Sequence, residues 1–214
     1  MVISLTGFMG CGKSSVGRRL SELLCCPFMD LDDVIEERSG RRIPEIFESD
    51  GEAVFRRIEL ETLREIISQN VMTGPSEPER LRKQSLPQHV AGPSLCGQRG
   101  STVSVASPAR KDSVVLALGG GAVMTGECAK LVHEHTVCIY LRASVDALVA
   151  RLKDESAGRP LLSGDSLRER ITGLMVQRTS TYEKTAHITI DTDGKSIEVI
   201  AEEIRQAPRV RGGL

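Results

Sequence analysis

Long apolar runs are missing from this chain. No window of its 214 residues approaches the ~18 apolar residues of a membrane span. The opening Met1-Val2-Ile3-Ser4-Leu5 carries neither a basic leader nor a long apolar core, so a cytoplasmic protein without a signal peptide is expected. An excess of one charge sign is missing too. Lys and Arg number 28 and Asp and Glu 29, a net charge of -1 that makes no electrostatic case for nucleic acid or an anionic membrane. Six cysteines (11, 25, 26, 96, 128 and 138) include no C-x-x-C pair, which removes the usual zinc and redox spacings. Reduced thiols packed as small hydrophobes are the expectation. With 40% hydrophobic and 27% charged residues, disorder and rod-like folds are excluded, and one ordinary domain fits the length.

Apolar runs at Val2–Thr6, Phe28–Leu31, Val114–Leu118, Val137–Leu141 and Ile188–Ile190 read as buried strands. Helical patterns lie between them: a helix through Leu24, Glu52–Ile67 with Phe55, Ile58, Leu63 and Ile66 on one face, and Val145–Leu152 behind a cap at Ser144. Unbroken apolar strands alternating with helices predict a three-layer α/β/α domain with a parallel sheet. Residues 70–113 break the pattern with five of the nine prolines, seven serines and four glycines, and read as a flexible surface insertion. The expected organisation is one domain over 1–206 with that interruption, followed by a frayed tail at 207–214.

Gly7-Phe8-Met9-Gly10-Cys11-Gly12-Lys13-Ser14 matches G-x-x-x-x-G-K-[ST], directly after a strand and opening a helix. Glycines let backbone N–H groups turn toward phosphate oxygens, and the helix N-terminus adds partial positive charge. Lys13 supplies a cation for the β- and γ-phosphates, and the Ser14 hydroxyl suits Mg²⁺. Gly10, Cys11, Gly12, Lys13, Ser14 and Ser15 are therefore the expected ATP-binding residues. An oxidation-sensitive thiol at Cys11 rests on its position alone.

Such a loop does not choose among GTPases, motor ATPases and small-molecule kinases. The guanine-reading N-K-x-D motif is absent, and so is a strand ending in a Walker B Asp-Glu pair. The second strand instead ends Asp30-Leu31-Asp32-Asp33. Two carboxylates at i and i+2 of an extended segment share a side, at the strand end where ligands gather in such sheets. One can hold Mg²⁺ through water while the other faces an acceptor hydroxyl. Capping of a helix start is the plainer alternative.

Further along come Ile43-Pro44-Glu45-Ile46-Phe47, Gly51 to Glu59 with Phe55-Arg56-Arg57, Leu118-Gly119-Gly120-Gly121, Arg159-Pro160-Leu161-Leu162 and Arg178. With the phosphate loop and Asp30-Leu31-Asp32, in this order, the set closely resembles the shikimate kinase family. The likeness runs from Val2 to about Arg205, apart from the 70–113 insertion. It implies a nucleoside-monophosphate-kinase-like fold with a five-stranded parallel sheet, a helical substrate-binding region and a mobile lid. It implies that Asp32 accepts the proton of the shikimate hydroxyl and that Asp30, with Ser14, lies near Mg²⁺. Arg56 and Arg178 would grip the shikimate carboxylate, with Gly120 and Gly121 close to the ring. Arg159, in the lid stretch Asp154–Ser166, would reach the phosphates, and Arg151 resembles the arginine that stacks on adenine. Lys13, Asp32 and Arg159 form the implied catalytic set.

The expected activity is transfer of the γ-phosphoryl group of ATP to the 3-hydroxyl of shikimate, in a monomer that needs Mg²⁺ and binds neither nucleic acid nor membrane. The rivals are a kinase of another small hydroxy acid such as gluconate, and a non-catalytic nucleotide-binding regulatory module. Phe47 and Phe55 are candidates for the acceptor wall or for plain core, and the histidines receive no catalytic role.

Overall fold

Val2–Thr6 contains no charged residue, and all five positions are buried as β1, the central strand of a parallel sheet. The computed structural model describes residues 1–71, 113–153 and 167–212. In it, β1 pairs with Val114–Ala117 (β3) on one side and Val137–Arg142 (β4) on the other. Phe28–Asp30 (β2) adds to β3 and Ile188–Asp191 (β5) to β4, giving five strands in the order β2-β3-β1-β4-β5. The fold is α/β, as the unbroken apolar strands predict.

Helices cover both faces. They are Lys13–Leu24 (α1), Leu31–Ser39 (α2), Ile43–Val71 (α3), Gly126–His135 (α4), Val145–Leu152 (α5), Leu167–Thr185 (α6), Ile197–Gln206 (α7) and Pro208–Gly212 (α8). Strand alternation divides the core in two. Ile3, Leu5, Val115, Ile139 and Leu141 point to one face and join Val16, Leu20, Ile200 and Ile204 of α1 and α7. Val2, Val114, Leu116, Cys138 and Tyr140 point to the other and join Leu31, Ile46, Phe55, Leu63 and Tyr182. Cys128 and Cys138 are buried thiols in this second core, as expected of small hydrophobes.

The differences from expectation are local. The second strand stops at Asp30, because Asp30 caps the helix that begins at Leu31. The helix expected over Glu52–Ile67 runs from Ile43 to Val71, with a break at Gly51 (φ 81, ψ 173) that only glycine adopts without strain. The expected frayed tail is instead the short helix α8, and burial of Val210 against the first core holds it. Ser144 does cap α5, its Oγ accepting from Ala147 N at 3.2 Å. Most of the expected insertion, and the expected lid with Arg159, lie outside the described residues. Among the described residues no helix is long and apolar enough to cross a membrane.

The chain leaves β1 toward β2 on one side and later passes from β3 to β4 on the other. That reversal beside the central strand makes a crevice at the carboxyl ends of the strands, where open α/β sheets bind ligands.

Candidate functional site

A cleft of about 1230 Å³ lies in that crevice. Met9 to Val16 line it together with Asp30, Asp32, Arg56, Gly120, Gly121 and Arg178. Arg151 and the stretch Lys195–Glu198 line it as well.

The phosphate half is built from one continuous segment. The buried strand β1 holds its start, and α1 continues from its end. Gly12 is the N-cap of α1 at φ 96 and offers no side chain to its N–H groups, so the first-turn donors remain for an anion. Lys13 Nζ donates to Gly7 O and Phe8 O, each at 3.0 Å, so the ammonium folds over the loop it belongs to. Cys11 as a whole is 1% exposed, and a Cβ built at Gly7 would lie 2.9 Å from its sulfur. Arg151 arches in from α5, donating to Gly10 O at 3.5 Å and Thr192 O at 3.3 Å.

Asp30 and Asp32 reach the cleft differently from the strand-side argument. Asp30 Oδ1 accepts from Asp32 N at 3.2 Å, so Asp30 is the helix cap and Asp32 sits in the first turn of α2. Both carboxylates still line the cleft, because the strand-to-helix turn replaces the pleat in aiming them. Asp30 Oδ2 also accepts from Ser14 Oγ at 2.7 Å. A hydroxyl and a carboxylate oxygen that close are hard donors suited to Mg²⁺, which takes few protein ligands and keeps waters and phosphates for the rest. Among the described residues no cluster of three or more His, Cys, Asp or Glu could hold a metal by itself.

The acceptor half comes from four separated segments. A Cβ at Gly119 would lie 2.7 Å from Asp32 Oδ1, and one at Gly121 2.9 Å from Arg56 Nη2. The glycine loop thus lies against both side chains, and larger residues would displace them. Burial, then the nearby Asp30 carboxylate, pushes Asp32 up to about 6, against a smaller pull from Lys13. A carboxylate near 6 is poised to take a proton at neutral pH.

Sequence reasoning assigned no role to Glu59. It is 1% exposed, and its Oε2 accepts from Arg56 Nη1 at 2.8 Å, while Glu52 Oε1 accepts from Arg56 Nη2 at 3.2 Å. Burial raises the Glu59 carboxyl, and the Arg56 guanidinium opposes the rise. The signal was available: Glu52, Arg56 and Glu59 are spaced i−4 and i+3, on one helix face. Lys195 to Glu198, from the turn after β5 into α7, were also left unassigned, since nothing in that turn is specific. Phe47 and Phe55 pair with ring centroids 4.5 Å apart, Phe55 buried in the second core and Phe47 37% exposed. His133 stacks on His187 away from the cleft.

All the expected site residues within the described segments line this cleft: Gly10, Cys11, Gly12, Lys13, Ser14, Ser15, Asp30, Asp32, Arg56, Gly120, Gly121, Arg151 and Arg178. A glycine-rich phosphate loop at the end of the central strand, in one cleft with Arg56, Arg178 and the raised carboxyl of Asp32, puts the protein among the phosphate-loop kinases of small molecules. The shikimate kinase family model matches residues 9–89 and 101–208. Shikimate kinase of Thermus thermophilus is 35% identical over 202 residues, covering 94% of this chain and 86% of the relative. That of Nitrosospira multiformis is 36% identical over 205 residues, covering 95% and 83%. The structure of Acinetobacter baumannii shikimate kinase in complex with shikimate superposes with a TM-score of 0.71 at 30% identity, covering 96% of this chain and 90% of that one. The chain belongs to the shikimate kinase family, ATP-dependent phosphotransferases with an alcohol group as acceptor.

Proposed function

We propose that this protein transfers the γ-phosphoryl group of ATP to the 3-hydroxyl of shikimate, giving shikimate 3-phosphate on the route to chorismate and the aromatic amino acids. The observation that carries the reading is the company Asp32 keeps: Arg56 and Arg178 line the same cleft as Asp32, Lys13 and the phosphate loop. Paired guanidiniums fork onto a planar carboxylate, which an anionic cyclic polyol supplies. The relative from Acinetobacter baumannii, described in complex with shikimate, favours the same acceptor.

In this reading the backbone N–H groups from Gly10 to Ser15 hold the ATP phosphates and Lys13 turns from the loop carbonyls onto the transferring group. Ser14 and Asp30 would hold Mg²⁺, which would supply charge neutralisation at the phosphates. Arg56 and Arg178 fix the acceptor carboxylate, and Gly120 and Gly121 admit the ring. Asp32 accepts the hydroxyl proton as the oxygen attacks in line. Arg151 flanks the adenine, and Arg159, by family resemblance, reaches the phosphates. Catalysis is then mostly positioning and charge neutralisation. The proposal extends to a monomer working in the cytoplasm.

The test is an ADP-release assay with ATP and Mg²⁺ on a panel of acceptors including shikimate and gluconate. Shikimate is expected to be turned over with kcat/KM at least ~10²-fold above the others, since unpaired site groups penalise a poor fit. Preference for gluconate, or ATP binding without turnover on any acceptor, would overturn the reading.

A further inference from the structure

The loop Gly119–Gly121 has three carbonyls. Two are spent locally: Ala122 N donates to Gly119 O at 3.1 Å, and Met124 N donates to Gly121 O at 3.0 Å. The third is held from far away. Tyr182, 62 residues later on α6, donates its hydroxyl to Gly120 O at 2.5 Å. Its ring is fully buried and stacks on Tyr140 of β4, with centroids 5.2 Å apart, so the donor cannot swing away. One turn earlier on α6, Arg178 is near enough for its charge to act on the same hydroxyl. Gly120 in turn is wedged against the phosphate loop, where a Cβ would lie 3.3 Å from Met9 N.

We propose that Tyr182 is a positioning residue for the acceptor: its hydroxyl sets the glycine loop and Arg178 at a fixed distance from each other and from the phosphate loop. The role rests on the acceptor reading given above for the cleft. A phenol suits it because the hydroxyl can donate to a carbonyl and accept from a guanidinium at once. Two parts of the acceptor wall, carried on elements that do not follow each other in the chain, thereby share one fixed point. Phosphoryl transfer depends on such placement, since displacement by about 1 Å can cost on the order of 10²-fold.

The test is Tyr182→Phe, which keeps the ring, its stack on Tyr140 and the core volume, and removes only the hydroxyl. Tyr140→Phe is the control for losing a hydroxyl from the other ring of the stack. Tyr182→Phe is expected to raise the shikimate KM roughly five- to a hundredfold, the range for one lost hydrogen bond that leaves a partner unsatisfied, with the ATP KM within twofold. Amide hydrogen exchange at Gly121 and Ala122 should quicken, while exchange in α1 stays as in the parent. Tyr140→Phe should leave the shikimate KM unchanged. Parental shikimate KM and parental loop exchange in Tyr182→Phe would overturn the proposal. So would equal rises of both KM values with a lowered Tm, which would mark a purely structural bond. Absence of shikimate turnover in the parent would remove the functional reading instead; the exchange comparison would then decide by itself whether Tyr182 sets the loop.

Discussion

The two halves of the cleft hold charge in different ways. In the proposed function the phosphate side binds mostly through main-chain N–H donors from Gly10 to Ser15, on one turn between β1 and α1. The acceptor side uses side chains from α2, α3 and α6 around the glycine loop, held by ion pairs and by burial. Backbone donors carry no ionisable group and are set by local geometry. Side-chain groups in a partly buried wall are set by each other, so Arg56 depends on Glu52 and Glu59 and Asp32 on Asp30. A phosphate is recognised by any well-formed cradle. A particular hydroxy acid needs an arrangement of side chains, and that arrangement is sensitive to single substitutions and to pH.

The largest expected effect is on Asp32. Asp32→Asn keeps shape and removes the proton acceptor, so kcat at saturating ATP and shikimate should fall about 10²–10⁴-fold. The same change should stabilise the fold. Asp32 titrates near 6 in the folded chain against an ordinary 3.8, so the folded state holds its proton more tightly. The stability this contributes is complete below about 3.8 and lost as pH rises through about 6. Asp32→Asn should therefore raise Tm at pH 8 and give no such gain at pH 4, as thermal melts would read. A folded variant that keeps more than about a third of parental kcat would show that the acceptor half does not depend on this charge.

Next comes Arg56→Lys. A point charge replaces a fork that contacts Glu52 and Glu59 and, in the proposed function, the acceptor carboxylate. The shikimate KM should rise about ten- to a hundredfold, the range for a charge-assisted bond lost, with the ATP KM unchanged. Equal changes in both KM values would erase the distinction between the halves. The smallest effect is the parent's own acid limb. Protonation of Asp32 should lower kcat about tenfold per pH unit below about 6, and the limb should be missing from Asp32→Asn. The same limb in both proteins would assign it to another group.

Much of this was readable from residue order. The alternation of apolar strands with helical patterns is a local property, and β1, α1 and α5 fall at their expected bounds. Where local signals competed, the outcome depended on packing. A run read as strand through Leu31 ends earlier because Asp30 caps α2, and residues 208–212 form a helix because Val210 finds the first core. Composition alone cannot show a cap choosing one N–H, or a tail residue meeting a distant surface.

The phosphate loop was determined by the sequence itself, since eight consecutive residues between a strand and a helix contain the whole cradle. The residues proposed for the acceptor side were also named through the resemblance, one at a time, and those within the described segments line the cleft. Tertiary structure alone decided how those residues support each other across the sheet: Asp32 against Gly119, and the Tyr182 hydroxyl on Gly120. These contacts join residues far apart in the chain, and their energies depend on burial and distance, which exist only once the sheet has brought the segments together.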